Sequence, residues 1–233
     1  MTRLSCKVVS IENITDNVYR VRLLPDSQFS FRAGQYLIII IDEYNKYPFS
    51  LASIPSEKKI IELHIGGSDF NFYTMAVMKY IFKHKNINID IPYGKAWFRE
   101  GSKKTIILIA GGTGFSYTRS ILYAALTENS NRDIFFYWGG KRLENLYNLD
   151  ELNYLSEQYY NIRIIPVVEQ PRSNWQGRIG TVLSAVLDDF TSLTKYEVYI
   201  AGPFEMVRIA RERFCNEKDI NPRYFYGDAF EFI

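Results

Sequence analysis

Apolar and polar positions alternate in short runs along the first part of the chain. Lys7–Ile14 and Val18–Leu24 show the two-residue period of half-buried strands, with Thr15-Asp16-Asn17 as the turn between them. Pro25-Asp26-Ser27 ends the second run, and Ala33-Gly34-Gln35 leads into Tyr36–Ile41, which is apolar enough to be buried on both faces. Phe49–Ser53 and Ile60–Ile65 read as further strands, separated by the polar hairpin Ser56-Glu57-Lys58-Lys59. Phe72–Phe82 carries its apolar residues at helical spacing, and Ile87–Ile91 returns to alternation. Six short strands with one helix late in the series predict a small antiparallel β-barrel, closed or nearly so, over residues 1–100.

The pattern changes after the polar stretch Glu100-Gly101-Ser102-Lys103-Lys104, which suits a linker. From Thr105 onward, strands alternate with helices. The strand candidates are Ile106–Ala110, Ile134–Trp138, Ile164–Val168, Val198–Ala201 and Arg223–Tyr226. Tyr117–Leu126, Leu149–Tyr159, Thr181–Leu187 and Glu205–Phe214 are the helices between them. This alternation predicts a second domain, residues 105–233, of α/β type: a doubly wound parallel sheet covered on both faces.

Composition narrows the chemistry. The 233 residues suffice for two domains of ordinary size. A formal net charge of +2 is far from the basic excess of a nucleic-acid binder. Two cysteines, Cys6 and Cys215, cannot build a disulfide scaffold, a zinc ribbon or an iron–sulfur ligand set, and two histidines cannot supply a His-rich site, so no metal is expected. No apolar run reaches the roughly 18 residues of a membrane span, and the N-terminus lacks the apolar stretch of a signal peptide. The expectation is a soluble cytoplasmic monomer that engages neither membrane nor nucleic acid. Aromatic residues make up 16%, a surplus that fits either a ring-stacking site or a drift among hydrophobes, and composition leans to the second.

Candidate chemistry lies in three segments. Ile106–Ala110 runs directly into Gly111-Gly112-Thr113-Gly114-Phe115-Ser116, with a helix starting near Tyr117. A buried strand, a glycine turn and a helix N-terminus suit an anionic diphosphate, because backbone N–H groups and the helix dipole face the ligand. The dinucleotide fingerprint is incomplete, since Tyr117 stands at the third glycine position, and no P-loop lysine follows. Ala201-Gly202-Pro203-Phe204-Glu205-Met206 repeats the strand–glycine–helix order, placing a second loop on the same sheet edge. In the barrel, Tyr47-Pro48-Phe49-Ser50-Leu51-Ala52-Ser53 offers the Ser50 hydroxyl on a backbone stiffened by Pro48 and Phe49, although an ordinary edge strand would read the same way.

Together these residues resemble the ferredoxin-reductase-like flavoproteins, and within them the bacterial NAD(P)H:flavin oxidoreductases that reduce free flavin. The resemblance runs through Phe31-Arg-Ala-Gly-Gln-Tyr36, Pro48-Phe-Ser-Leu-Ala-Ser53, Glu62-Leu-His-Ile-Gly66, Ala110-Gly-Gly-Thr-Gly-Phe-Ser-Tyr117, Tyr137-Trp-Gly-Gly140 and the ending Tyr226–Ile233. It implies a flavin-binding barrel and a nicotinamide-nucleotide-binding α/β domain, with NADH or NADPH and riboflavin, FMN or FAD as dissociable substrates. Ser50 would bond near flavin N5, and Gly111, Gly112, Thr113, Gly114 and Phe115 would form the nicotinamide and pyrophosphate pocket. Gly202 and Pro203 would close its other side. Tyr36, Phe115 and Tyr117 are candidate ring neighbours, though core packing would use the same residues. His64 reads as a strand residue near the flavin, and Asp228, Phe230 and Phe232 as caps on the cleft.

Three departures bear on how the flavin is held. Tyr47 stands where these flavoproteins usually carry an arginine for the flavin phosphate, and Lys46 lies beside it. Asp69 falls in the segment that commonly seats an FAD diphosphate, where a carboxylate would repel it. Ala201 replaces the cysteine of the later Cys-Gly-Pro motif. The first two suit a flavin that enters and leaves, with ferric iron complexes or a flavin-dependent oxygenase as downstream acceptors. Lys141 and Arg142 are placed to meet a 2′-phosphate, or form a solvated turn, so nucleotide preference stays open. Two other readings remain: a reductase component with tightly held FAD, and a catalytically silent flavin- or nucleotide-binding module.

Overall fold

The computed structural model describes residues 1–57, 59–66, 72–128 and 131–231. Its first half is a six-stranded antiparallel sheet built from β1 (Thr2–Thr15), β2 (Val18–Pro25), β3 (Tyr36–Ile40), β4 (Lys46–Ser50), β5 (Ile61–Gly66) and β6 (Asn86–Tyr93), in the order β4-β3-β6-β1-β2-β5. The two edges are drawn together by the chain that leaves β4. Leu51 N–H donates to the Gln35 carbonyl at 3.1 Å, and Ala52 N–H donates to the Glu62 carbonyl in β5 at 2.9 Å. Inward residues of alternating strands, among them Val21, Leu23, Leu37, Ile39, Leu63 and Ile89, fill the interior. Helix α1 (Phe72–Lys83) adds Val77, Met78 and Ile81 to that core.

In this half two strands differ from expectation, and in the second half the expected strand Arg223–Tyr226 is reduced to Phe225–Tyr226 after a 3₁₀ turn at Pro222–Tyr224. β1 begins at Thr2, because its first residues pair with β6 while Cys6 and later residues pair with β2. β4 spans Lys46–Ser50 instead of Phe49–Ser53, with Ile38 opposite Pro48 and Tyr36 opposite Ser50. Leu51 and Ala52 are buried and apolar, which extends the pattern, but their N–H groups serve other partners. Pro48, with no N–H to donate, sits in the terminal strand of the hydrogen-bonded order.

The second half is a parallel sheet. Its elements are β7 (Thr105–Gly111), α2 (Phe115–Thr127), β8 (Ile134–Gly140), α3 (Leu149–Gln158), β9 (Ile162–Val168), β10 (Arg178–Ile179), α4 (Val182–Asp189), β11 (Tyr196–Ala201), α5 (Phe204–Glu217) and β12 (Phe225–Tyr226). The strand order is β10-β9-β8-β7-β11-β12. Alternation along β7 sorts the layers. Ile106, Leu108 and Ala110 pack with α2 and α3, whereas Ile107 and Ile109 pack with α4 and α5. The sheet is thus covered on both faces, as the strand–helix alternation requires. The exposed two-residue strand β10 carries no apolar pattern and was not expected. Among the described residues, no helix is long and apolar enough to cross a membrane.

Candidate active site

Both glycine loops emerge at the carboxyl edge of the parallel sheet, because β7 and β11 are adjacent and parallel, with Ala110 opposite Ala201. A single 3₁₀ turn, Gly112–Gly114, joins β7 to α2, and Gly112 has a φ of +53°, the left-handed region that favours glycine. The loops touch backbone to backbone: a Cβ on Gly114 would collide with the Ala201 carbonyl. Trp138 Nε1–H donates to the Gly112 carbonyl at 3.0 Å and fixes the turn from below.

These loops face the barrel across a cavity of about 510 Å³. Tyr36, Pro48, Phe49, Ser50, His64 and Gly66 line it from the barrel. Gly111–Gly114, Ser116 and Ala201–Phe204 line it from the parallel sheet, and Asp228 and Ala229 from the C-terminal segment. The space beside the Gly112 α-carbon is open: apart from its own turn, no atom of the described residues lies within 4 Å of where a Cβ would sit. This volume lies within the usual range of small-molecule sites.

Ten of the twelve expected site residues that the structure places thereby share one cavity wall with Ser50: Tyr36, Pro48, Phe49, His64, the four residues Gly111–Gly114, Gly202 and Pro203. Phe115 and Tyr117 do not line it. Both are 0% exposed. Phe115, the first residue of α2, is turned into the core, where it stacks on Trp138 at 4.1 Å and on His64 at 5.9 Å. Tyr117 packs against Gly34 and donates its hydroxyl to the Ala96 carbonyl at 2.6 Å. The large ring at the third glycine position is therefore a core ring, and their place as ring neighbours of a ligand is corrected to packing beneath the site. Lys141 and Arg142 are exposed and Phe230 packs on Phe225; none of the three lines the cavity. Asp69 and Phe232 lie outside the described residues.

Among the described residues, two polar groups at the cavity lack hydrogen-bond partners. Ser116 is 2% exposed, and its Oγ has no hydrogen bond. Sequence reasoning missed it, since a serine on an amphipathic helix carries no signal of its own. Both carboxylate oxygens of Asp228 are also buried without a hydrogen bond. Burial pushes this carboxyl up to about 7, the Glu231 charge adds to the rise, and the nearby Ala96 backbone N–H opposes it from outside hydrogen-bond geometry.

His64 is set differently. Its Nε2 lies 3.2 Å from Glu62 Oε1 and its Nδ1 lies 3.1 Å from the Tyr147 hydroxyl. Burial lowers its pKa against the opposing pull of Glu62, so a neutral ring donates through Nε2 and accepts through Nδ1. Burial alone would raise the Glu62 carboxyl, but the His64 hydrogen bond and the charges of Arg119 and Arg22 hold it well below the ordinary range. With both ring nitrogens engaged, His64 is a positioned wall of the cavity.

A six-stranded antiparallel sheet with its two edges drawn together, set against a parallel sheet with the cavity at the strand ends between them, is the ferredoxin reductase-like architecture. Solved structures with this fold include the Amycolatopsis cytochrome P450 reductase GcoB, with a TM-score of 0.86, 23% identity and coverage of 97% of this chain and 69% of that one. The ferredoxin reductase in carbazole 1,9a-dioxygenase superposes with a TM-score of 0.84 at 20% identity, covering 98% and 69%. The family model for the oxidoreductase NAD-binding domain matches residues 108–212. The NAD(P)H-flavin reductase of Vibrio harveyi is 42% identical over 99% of both chains, and that of Aliivibrio fischeri 43% identical over 99% of both. The chain belongs to the NAD(P)H-flavin reductase family.

Proposed function

We propose that the protein reduces flavin with NAD(P)H, taking riboflavin, FMN or FAD as a substrate that binds, is reduced and leaves. The observation that carries this reading is the single cavity walled by the Ser50 strand on one side and by both glycine loops on the other. Hydride transfer moves the C4–H electron pair of the nicotinamide to flavin N5, oxidising the first ring and reducing the second, without a protein base. The chain's own task is alignment and exclusion of water.

In this reading Ser50, at the end of β4, directs its hydroxyl to flavin N5, while Tyr36, Pro48 and Phe49 bound the ring. Gly111–Gly114 and Gly202-Pro203 take the nicotinamide nucleotide, with the first-turn amides of α2 facing its phosphates. The open space beside Gly112 and the unpartnered Ser116 hydroxyl fit a ligand at this position. Asp228 bounds the far side. The dissociable character of the flavin rests on Tyr47, whose hydroxyl is held by Asn45 Oδ1 at 3.1 Å where a phosphate-gripping arginine would otherwise stand. Released reduced flavin would serve ferric iron complexes or a flavin-dependent oxygenase.

Steady-state oxidation of NADH and NADPH against riboflavin, FMN and FAD tests the proposal. Turnover with added flavin and colourless protein after dialysis are expected. Protein that stays yellow through dialysis would point to a reductase with resident FAD, and no turnover would point to a silent binding module.

A further inference from the structure

Helix α2 begins at the glycine turn and then passes beside the chain that leaves Ser50. Five residues after Gly114, about 7.5 Å along the helix axis, Arg119 Nη1 donates to the Ala52 carbonyl at 2.8 Å. The next residue, Ser120, is fully buried and donates its Oγ to the Ser53 carbonyl at 2.7 Å. Ala52 and Ser53 are the second and third residues after Ser50. They are held from the barrel side as well. Ala52 N–H donates to the Glu62 carbonyl at 2.9 Å, and Ser53 Oγ accepts from Glu62 N–H at 2.5 Å.

Arg119 itself has little freedom. Its side chain is 16% exposed, Nε donates to Glu151 Oε1 of α3 at 3.0 Å, and the guanidinium lies 4.8 Å from the Tyr123 ring centroid. Glu62 lies 4.0 Å away on the barrel side. At the top of the helix, Thr113 Oγ1 donates to the Gly66 carbonyl at 3.3 Å. One rigid element thus carries the glycine turn at its N-terminus and grips the Ser50 segment within its next turns.

We propose that Arg119 and Ser120 are positioning residues that set the distance and angle between the nicotinamide and the flavin. The inference rests on the reading of the cavity given above. Neither side chain lines that cavity. Their effect passes through the Ala52 and Ser53 carbonyls to Ser50 on one side, and through the helix to Gly112–Gly114 on the other. Hydride transfer is steeply sensitive to such placement, and a shift of about 1 Å costs on the order of 100-fold in rate.

The test compares the full-length protein with Ser120→Ala, Arg119→Met and Arg119→Lys, using NADH or NADPH and riboflavin, and nucleotide deuterated at the transferred position. Ser120→Ala and Arg119→Met should lower kcat by about 10- to 100-fold while both KM values stay within about three-fold. The primary isotope effect on kcat should rise as hydride transfer becomes limiting, and Arg119→Lys, which keeps a cationic donor, should recover part of the rate. A kcat and isotope effect within about two-fold of wild type would overturn the proposal even if Tm falls, as would a loss confined to KM. Should Arg119→Met fail to fold, Ser120→Ala decides alone. Wild-type protein without flavin-dependent NAD(P)H oxidation would sink the reading of the cavity, whereas active wild type with indifferent variants removes only the positioning role.

Discussion

Replacing Asp228 by Asn should stabilise the protein, and by an amount that depends on pH. The carboxyl is buried at the cavity wall against Gly94, has no hydrogen-bond partner, and is raised from 3.8 to about 7. Between these values the folded protein keeps a proton that the unfolded chain has already lost. Stability therefore falls as pH rises through this window, and the cost is absent below about pH 4 and complete above about pH 7. A displacement of about three units at 1.36 kcal/mol each sets the full cost at about 4 kcal/mol. Asn keeps the shape and removes the charge. For a chain of this length each kcal/mol moves Tm by about 2–4 °C, so the variant should melt roughly 10 °C higher at pH 8 and near wild type at pH 4. Thermal melts of both proteins at intervals across this range measure the difference directly. A gap that does not change with pH, or a variant less stable than wild type at pH 8, would refute the assignment of a buried, charge-averse carboxyl.

Three further outcomes follow from the same geometry. Ser50→Ala should lower flavin reduction at least 10-fold, a scale set by the loss of one positioned hydrogen bond at a reacting atom; the circular dichroism spectrum and Tm should hold, and an unchanged rate would remove Ser50 from its role. Gly114→Ala should force the two glycine loops apart, because its Cβ collides with the Ala201 carbonyl; nucleotide KM should rise more than flavin KM, and equal effects on both would contradict the loop assignment. Arg132→Met should cost about 3–5 kcal/mol in denaturant unfolding by taking the counter-charge from the buried Glu197 carboxylate. Glu197 is only 1% exposed and accepts from Arg132 at 2.8 Å and from the Tyr199 hydroxyl at 2.7 Å, so a loss under about 1 kcal/mol would show that the tyrosine alone satisfies the carboxylate.

Local pattern was enough to read most of the architecture. The two-residue period in Val18–Leu24 and Ile60–Ile65 and the continuous apolar run Ile106–Ala110 map onto β2, β5 and β7, because a strand buried on one face or on both must show it in its own residues. The glycine turn after β7 was legible for the same reason: a tight strand-to-helix passage needs residues that only glycine supplies. The matching loop after β11 followed from parallel order, which puts both turns on one edge. The register of β4 was not legible, since Leu51 and Ala52 are as apolar as a strand but donate outside the β3–β4 ladder. The aromatic surplus was ambiguous as composition. In the fold, Phe115, Trp138 and Tyr147 pack together beneath His64, while Tyr36 and Phe49 reach the cavity.

Residue order alone was enough to place most strands and helices, though not β10 or the bounds of β4, and to show where glycine breaks them, since those preferences act within a few residues. The assembled fold was needed to show that the Asp228 carboxylate is buried without a hydrogen bond among the described residues, that His64 is locked between Glu62 and Tyr147, and that Arg119 and Ser120 reach across to Ala52 and Ser53. Each of those facts depends on dielectric and contact geometry created by residues tens of positions apart. A titrating group or a hydrogen bond takes its energy from that assembled surrounding, which no local period in the chain encodes.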